Sequence, residues 1–170
     1  ADYDGDGEPE IGVPGPDVFT VLEADGSILW QTEIDNETGG GASVAFDFYG
    51  DGAYEVVLTD RSALRILDGS TGDVLAIMDE HSSATANAAP VVADVDLDGH
   101  AEIVMVSYDS PLLDEPYGAE QGLRVVGGAF EDWSGASGVW NQAEYVITNV
   151  DDDLGIPSPF EVNWPTYNSF

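Results

Sequence analysis

The amino-acid sequence predicts an all-β fold built from repeated, four-stranded antiparallel sheets. Three observations predict it: an acidic loop motif that recurs at a near-constant interval, short β-branched or alternating runs between turn signals, and no sustained helical periodicity. The motif reads Ala1-Asp-Tyr-Asp-Gly-Asp-Gly-Glu-Pro-Glu-Ile11, then Phe46-Asp-Phe-Tyr-Gly-Asp-Gly-Ala-Tyr-Glu-Val56, then Ala93-Asp-Val-Asp-Leu-Asp-Gly-His-Ala-Glu-Ile103. The leading acids Asp2, Asp47 and Asp94 fall 45 and 47 residues apart. That interval holds about four short strands, the size of one β-propeller blade. The units are expected near residues 1–45, 46–92 and 93–150, followed by an extended, Pro-rich C-terminal tail over 151–170. Three blades do not close a ring, so the propeller-like row is expected to be incomplete.

In the first unit, strands are expected over Glu10 to Val13, Val18 to Glu23, Ile28 to Ile34 and Ala42 to Phe46, with a turn at Ala24-Asp25-Gly26. The second unit repeats the layout: Glu55 to Thr59, Ala63 to Leu67, a turn over Asp68 to Gly72, Val74 to Met78, and Val91 to Ala93 entering the third loop. The third unit begins with Glu102 to Ser107. A Pro- and acid-rich insertion from Asp109 to Gln121 then separates it from Leu123 to Val126. Beyond Tyr145 to Val150 the prolines at 157, 159 and 165 break regular pairing, and the tail is expected to lie across a surface.

Composition narrows the function. The 170 residues are 43% hydrophobic, enough for one domain with a core. The net charge is -31, from 34 acids against Arg61, Arg65 and Arg124, with no lysine. No basic surface exists to neutralise phosphates, so nucleic acid and anionic membrane are excluded as partners. So many carboxylates repel one another in a compact fold, and divalent cations relieve that repulsion most directly. Without cysteine there are no disulfides, zinc-thiolate sites or thiol nucleophiles. No apolar run reaches the ~18 residues of a membrane span, and no leader opens the chain, so no membrane insertion is expected. Because Ala1 to Glu10 already lie inside a loop motif, the sequence is expected to continue a longer gene product.

The loops have the chemistry of a calcium site. In the first, Asp2, Asp4 and Asp6 alternate, Gly7 follows, and Glu10 stands eight residues after the first acid; Asp94, Asp96, Asp98, Gly99 and Glu102 repeat this. Calcium takes six to eight oxygens at about 2.3–2.6 Å, and a tight turn with alternate acids supplies several. A backbone carbonyl, from Glu8 or His100, fills a further place. The EF-hand alternative fails because its twelfth position, which must be Glu, holds Val13 or Met105 and is followed by β runs rather than helices. The second loop keeps Asp47, Asp51 and Glu55, with Ala53 at the carbonyl position, but has Tyr49 in place of the second acid; it is a weaker site. Asp151-Asp152-Asp153 lacks the Gly and the Glu and reads as a solvated turn.

At these loops, and at the Leu67-Asp-Gly-Ser-Thr-Gly-Asp-Val-Leu75 hairpin, the sequence resembles the FG-GAP or VCBS repeats of integrin-type β-propellers. The resemblance covers about residues 1–107. It implies Asp2, Asp4, Asp6 and Glu10, and Asp94, Asp96, Asp98 and Glu102, as calcium ligands that stiffen each blade. It further implies an extracellular or cell-surface location and a structural or adhesive role. Tyr49, and a count of three units where the family closes with about seven, depart from the family pattern.

The leading expectation is therefore an extracellular calcium-binding structural or adhesive module, such as a surface or filament component. Its missing blades would come from other copies, from another chain or from a separate segment of the same precursor, with strands added across the junction. The alternative is a glycan-binding propeller with Trp30, Trp133, Trp140 or Trp164 stacking on sugars, each weighed against ordinary strand packing. A calcium-dependent polysaccharide-active enzyme ranks behind both. His81 and His100 stand without a triad, metal-water or cofactor motif, so no catalytic residue is assigned. Asn36-Glu37-Thr38 is a sequon that makes Asn36 a candidate glycosylation acceptor.

Overall fold

The computed structural model describes residues 1–36, 39–79, 81–83, 88–108, 121–129, 132–140, 149–151 and 153–159. Residues 109–120 of the insertion expected over Asp109 to Gln121, residues 145–148 of the run Tyr145 to Val150, most of the tail and Trp164 lie outside the described residues. Among those described, the structure is all-β, with ten strands in three antiparallel sheets and no helix. Sheet one contains β1 (Ile11–Pro14), β2 (Val18–Leu22) and β3 (Ile28–Glu33). Sheet two contains β4 (Ser43–Phe46), β5 (Glu55–Thr59), β6 (Leu64–Leu67) and β7 (Val74–Met78). Sheet three contains β8 (Val91–Ala93), β9 (Glu102–Ser107) and β10 (Gly122–Gly127).

The acidic loop joins the first two strands of one sheet. β4 turns through the second loop and pairs with β5 at Phe46↔Glu55, and β8 turns through the third and pairs with β9 at Ala93↔Glu102. The sequence repeat starts at its loop, whereas the sheet starts one strand earlier. Sheet two has all four expected strands; sheets one and three have three each among the described residues.

Two turns close the outer hairpins, each with an aspartate accepting backbone N–H groups. Asp25 Oδ1 accepts Ser27 N at 2.8 Å, and Asp68 Oδ1 accepts Ser70 N at 3.0 Å and Thr71 N at 2.9 Å. Gly72, at φ 75°, sits against the Trp30 ring, where any Cβ would collide with the indole. Both hairpins carry a register shift one pair from the turn, at Val21/Leu22 and at Ile66/Leu67.

The sheets stack in sequence order, and each has a leading and a trailing face because side chains alternate along a strand. Phe19, Val21 and Trp30 on the trailing face of sheet one pack against Val56, Leu58 and Leu67 on the leading face of sheet two. In the same way, Leu64 and Ile66 on the trailing face of sheet two meet Ile103 and Met105 of sheet three. Covered on both sides, β5 is buried along its whole length. This explains why Glu-Val-Val-Leu-Thr reads as a nearly continuous apolar run instead of an alternating one. At its end, fully buried Asp60 accepts Arg65 Nε at 2.7 Å, Ala63 N at 2.8 Å and Asp35 N at 3.2 Å, which ties the exit of sheet one to sheet two.

Candidate metal centres

The first and third loops fold by similar hydrogen bonds, in which the leading aspartate accepts the glycine N–H five residues on and one further amide, three residues on in the first loop and four in the third. Asp2 Oδ1 accepts Gly5 N at 2.8 Å and its Oδ2 accepts Gly7 N at 2.9 Å. Asp94 does the same for Asp98 N and Gly99 N, both at 3.1 Å. In the second loop Asp47 takes Gly50 N at 2.6 Å and Gly52 N at 3.0 Å. The third acid of each motif caps the amide two residues on, as Asp6 with Glu8 at 2.8 Å, Asp51 with Ala53 at 3.1 Å and Asp98 with His100 at 2.9 Å. Backbone donors thus hold each loop in a turn with its acids on the inside. Gly7, Gly52 and Gly99 follow with φ of 91°, 95° and 96°, a conformation that explains the invariant glycine of the repeat.

The closing glutamate has a second role that the spacing alone does not reveal. Glu10 Oε2 accepts Tyr3 N at 2.6 Å, Glu55 Oε2 accepts Phe48 N at 2.9 Å, and Glu102 Oε2 accepts Val95 N at 2.7 Å. Each glutamate reaches back across the loop with one oxygen. In the first loop the other oxygen, Glu10 Oε1, is buried without any hydrogen-bond partner.

Carboxylate oxygens of Asp2, Asp4, Asp6 and Glu10 come within 4.8 Å of one another, so the first loop gathers all four expected side chains. The third gathers Asp94, Asp96 and Glu102; Asp98 stays with His100 N and does not join them. Among the described residues the second loop forms no such group, as the loss of an acid to Tyr49 leads one to expect. Burial first, and then the charges of Asp4 and Asp2, push the Glu10 carboxyl above its ordinary range, against the pull of Tyr3 N. Burial likewise pushes Glu55 up to about 7, with Asp47 and Asp51 adding repulsion. Crowded carboxylates with an unpartnered buried oxygen fit a hard dication with oxygen ligands.

Other expected residues fall elsewhere. Glu8, Ala53 and His100 occupy equivalent loop positions, and the His100 ring turns away, with Nδ1 2.8 Å from Trp133 O. Trp30 is buried at 7% exposure, and its Nε1 donates to Gly69 O at 2.5 Å, so its ring is a packing anchor between sheets. Trp133 packs on Phe48 with ring centroids 4.5 Å apart. Asn36 is 1% exposed, and its Nδ2 donates to Gly15 O at 3.2 Å; a side chain engaged inside the fold does not suit a glycosylation acceptor. Glu37 and Thr38 of that sequon lie outside the described residues, as does Asp152 of the acidic run.

A clamp on the second and third loops carries no sequence signal. Ser134 N donates to Phe48 O at 2.7 Å and Ser134 Oγ to Asp47 O, while Ser134 O accepts Ala101 N at 3.1 Å. Ser137 O accepts Asp94 N at 3.1 Å. This segment lies outside the recurring acidic motif, so no comparison between the loops could have found it.

No protein-family model matches the chain, and no curated protein matches it. Among solved structures, the chain is similar to the crystal structure of the V. cholerae biofilm matrix protein Bap1, at 31% sequence identity and a TM-score of 0.83. The match covers 95% of this chain and 26% of that one, so the chain spans about a quarter of that protein's length. The likeness is to a matrix protein, and it extends over all three sheets.

Proposed function

We propose that this chain is an extracellular structural or adhesive module, an incomplete row of propeller-like blades whose acidic loops hold calcium and which assembles with other chains. The buried, unpartnered Glu10 Oε1, on a carboxylate gathered with those of Asp2, Asp4 and Asp6, carries the calcium reading. A buried carboxylate oxygen left unpaired is costly, and a bound cation removes that cost. When bound, calcium supplies charge neutralisation and a rigid oxygen-ligated node; Asp2, Asp4, Asp6 and Glu10 would hold it in the first loop, and Asp94, Asp96 and Glu102 in the third. The carbonyls of Glu8 and His100 complete the proposed ligand sets, Asp98 would join the third set only on turning away from His100 N, and Asp47, Asp51, Glu55 and the Ala53 carbonyl form a weaker site.

The blade reading is supported by sheets stacked face to face in sequence order, with the inner strands β4 and β8 in contact. Between the outer strands β6, β7 and β10 the stack opens into a groove of about 260 Å³, as sheets fanning from a common centre would. The extracellular role is supported by the likeness to a biofilm matrix protein. We read the chain as non-catalytic: His81 is fully buried and His100 is turned onto Trp133 O.

Ligand bound only by the folded state adds RT ln(1 + [L]/Kd), about 2.7 kcal/mol at a hundredfold excess over Kd. Excess chelator is therefore expected to lower the melting temperature by several degrees, and calcium to restore it. A melting temperature indifferent to both would refute the calcium reading.

A further inference from the structure

Beyond its last strand, each of the first two sheets runs on into a short stretch that hooks onto the next sheet. In the first hook, Asp35 gives its N–H to the Asp60 carboxylate at 3.2 Å, and its carbonyl accepts Arg61 N at 2.8 Å. In the second, Ser82 gives its N–H to Ser107 Oγ at 3.1 Å, and its carbonyl accepts Tyr108 N at 2.8 Å. The hooks are equivalent, so His81 stands where Ile34 stands one unit earlier. Both are buried, His81 completely. The apolar side chain suits that place and the imidazole does not: both of its ring nitrogens are buried without a hydrogen-bond partner. A buried polar group left in this state calls for a role.

We propose that His81 is an acid-operated latch between sheets two and three: the neutral ring seals the second hook, and the protonated ring opens it. A cation at this place meets no uncommitted counter-charge. Of the charges that act on the ring, Asp60 at the end of β5 already holds Arg65 Nε at 2.7 Å, and Arg124 on β10 repels a cation. Arg61, beside Asp60, is paired with Asp35 at 3.4 Å. The other contacts of the hook are neutral: Ser83 Oγ on Asp60 O and Ser83 N on Arg61 O, each at 3.2 Å, and Ser82 Oγ on Tyr108 O at 3.1 Å. Burial first, with Arg124 adding to it, holds the imidazole below its ordinary 6.5, against the pull of Asp60. A group whose folded pKa is lowered contributes stability that is present above its unfolded value and lost as pH falls. The second hook is therefore firm above about pH 6.5 and loosens below it. The first hook stays closed in that window, because Ile34 does not titrate and Asp60 keeps its charge to below 3.8. Mild acid thus frees sheet three from sheet two and leaves sheets one and two joined.

Amide hydrogen exchange in saturating calcium, expressed as protection factors between about pH 7.5 and about pH 5, reads the two hooks separately. In the parent, the amides of Ser82, Ser83 and Tyr108 are expected to lose protection below about pH 6.5, by up to about tenfold per pH unit for one proton, while those of Asp35 and Arg61 keep theirs. His81→Ile, which copies Ile34, is expected to keep protection at both hooks. The acidic loops are the same in parent and variant, so their own titration cancels in the comparison. A variant that loses protection as the parent does would overturn the latch. Two readings on the parent decide the matter without the variant. His81 ring resonances that titrate at or above 6.5, or second-hook amides that stay fully protected down to about pH 5, would each overturn it.

Discussion

Asp2 and Asp4 illustrate how residues two apart in one motif do different work. Asp2 is buried and holds two loop amides, whereas Asp4 is partly exposed and holds only Asp6 N, at 3.1 Å. Replacing Asp2 with Ala strands two backbone donors, at about 1–3 kcal/mol each, whether or not metal is bound. Asp2→Ala is therefore expected to lower the melting temperature in both calcium and chelator. Asp4→Ala removes a proposed ligand and little else, so it is expected to cut the first loop's share of the calcium-dependent increment, leaving that of the third loop, while melting like the parent in chelator. Equal losses in chelator would mean that Asp4 is structural. The loop glycines make a similar separation. Nothing lies within 4 Å of a Cβ built on Gly99, so Gly99→Ala tests only its φ of 96°. Left-handed backbone costs an L-residue about 1–2 kcal/mol, and a loss of that size is expected in denaturant unfolding. Leu97 adopts φ 63° where Gly5 and Gly50 stand in the other loops, so the third loop already carries part of this strain.

β5 is the element on which both cores depend, and Asp60 at its end is where its burial meets its polarity. Burial alone would raise the Asp60 pKa, but the hydrogen bond from Arg65, with those of Ser62 N and Asp35 N, outweighs it and holds the carboxyl below its ordinary 3.8. A carboxyl with a depressed folded pKa contributes stability that is present above the unfolded value and lost as pH falls through the folded one. Acid unfolding of the parent is therefore expected to steepen below about pH 3.8. Asp60→Asn leaves Arg65 without its partner, since the Nε to Oδ2 bond is 2.7 Å and the Asp60 side chain is fully enclosed. Breaking a buried pair from one side costs about 3–5 kcal/mol. The variant is expected to lose about that much in urea at neutral pH and to show a shallower acid limb. An unchanged acid limb would remove Asp60 from the account.

At the scale of the whole molecule, the net charge of -31 on 170 residues opposes both folding and association. Monovalent salt screens it only through an ionic atmosphere with a Debye length of about 10 Å at 0.1 M. Calcium held in the loops would cancel charge where carboxylates are closest. At matched ionic strength, calcium is expected to raise the melting temperature clearly more than sodium. Magnesium should do less, because its small octahedral shell gives up water reluctantly and fits several carboxylates poorly. Equal effects of the three salts would reduce the loops to general screening.

The sequence by itself determined the β content, the repeat and the positions of the loops, because these are local. The spacing of Asp2, Asp4, Asp6 and Glu10 sets a turn through hydrogen bonds that span seven residues or fewer, and alternation sets strands one at a time. For the same reason Tyr49 already marked the second loop as one acid short. Only the tertiary structure decided what depends on contacts distant in sequence. It put β4 in the sheet of β5 and turned Trp30 onto Gly69, 39 residues away. It sealed Asn36 against Gly15 and drew Ser134 across 87 residues to the second loop. It also decided which of two near-identical faces is covered: Ile11 and Val56 occupy the same place in their repeats, and burial separates them because sheet one packs on sheet two and exposes its other side.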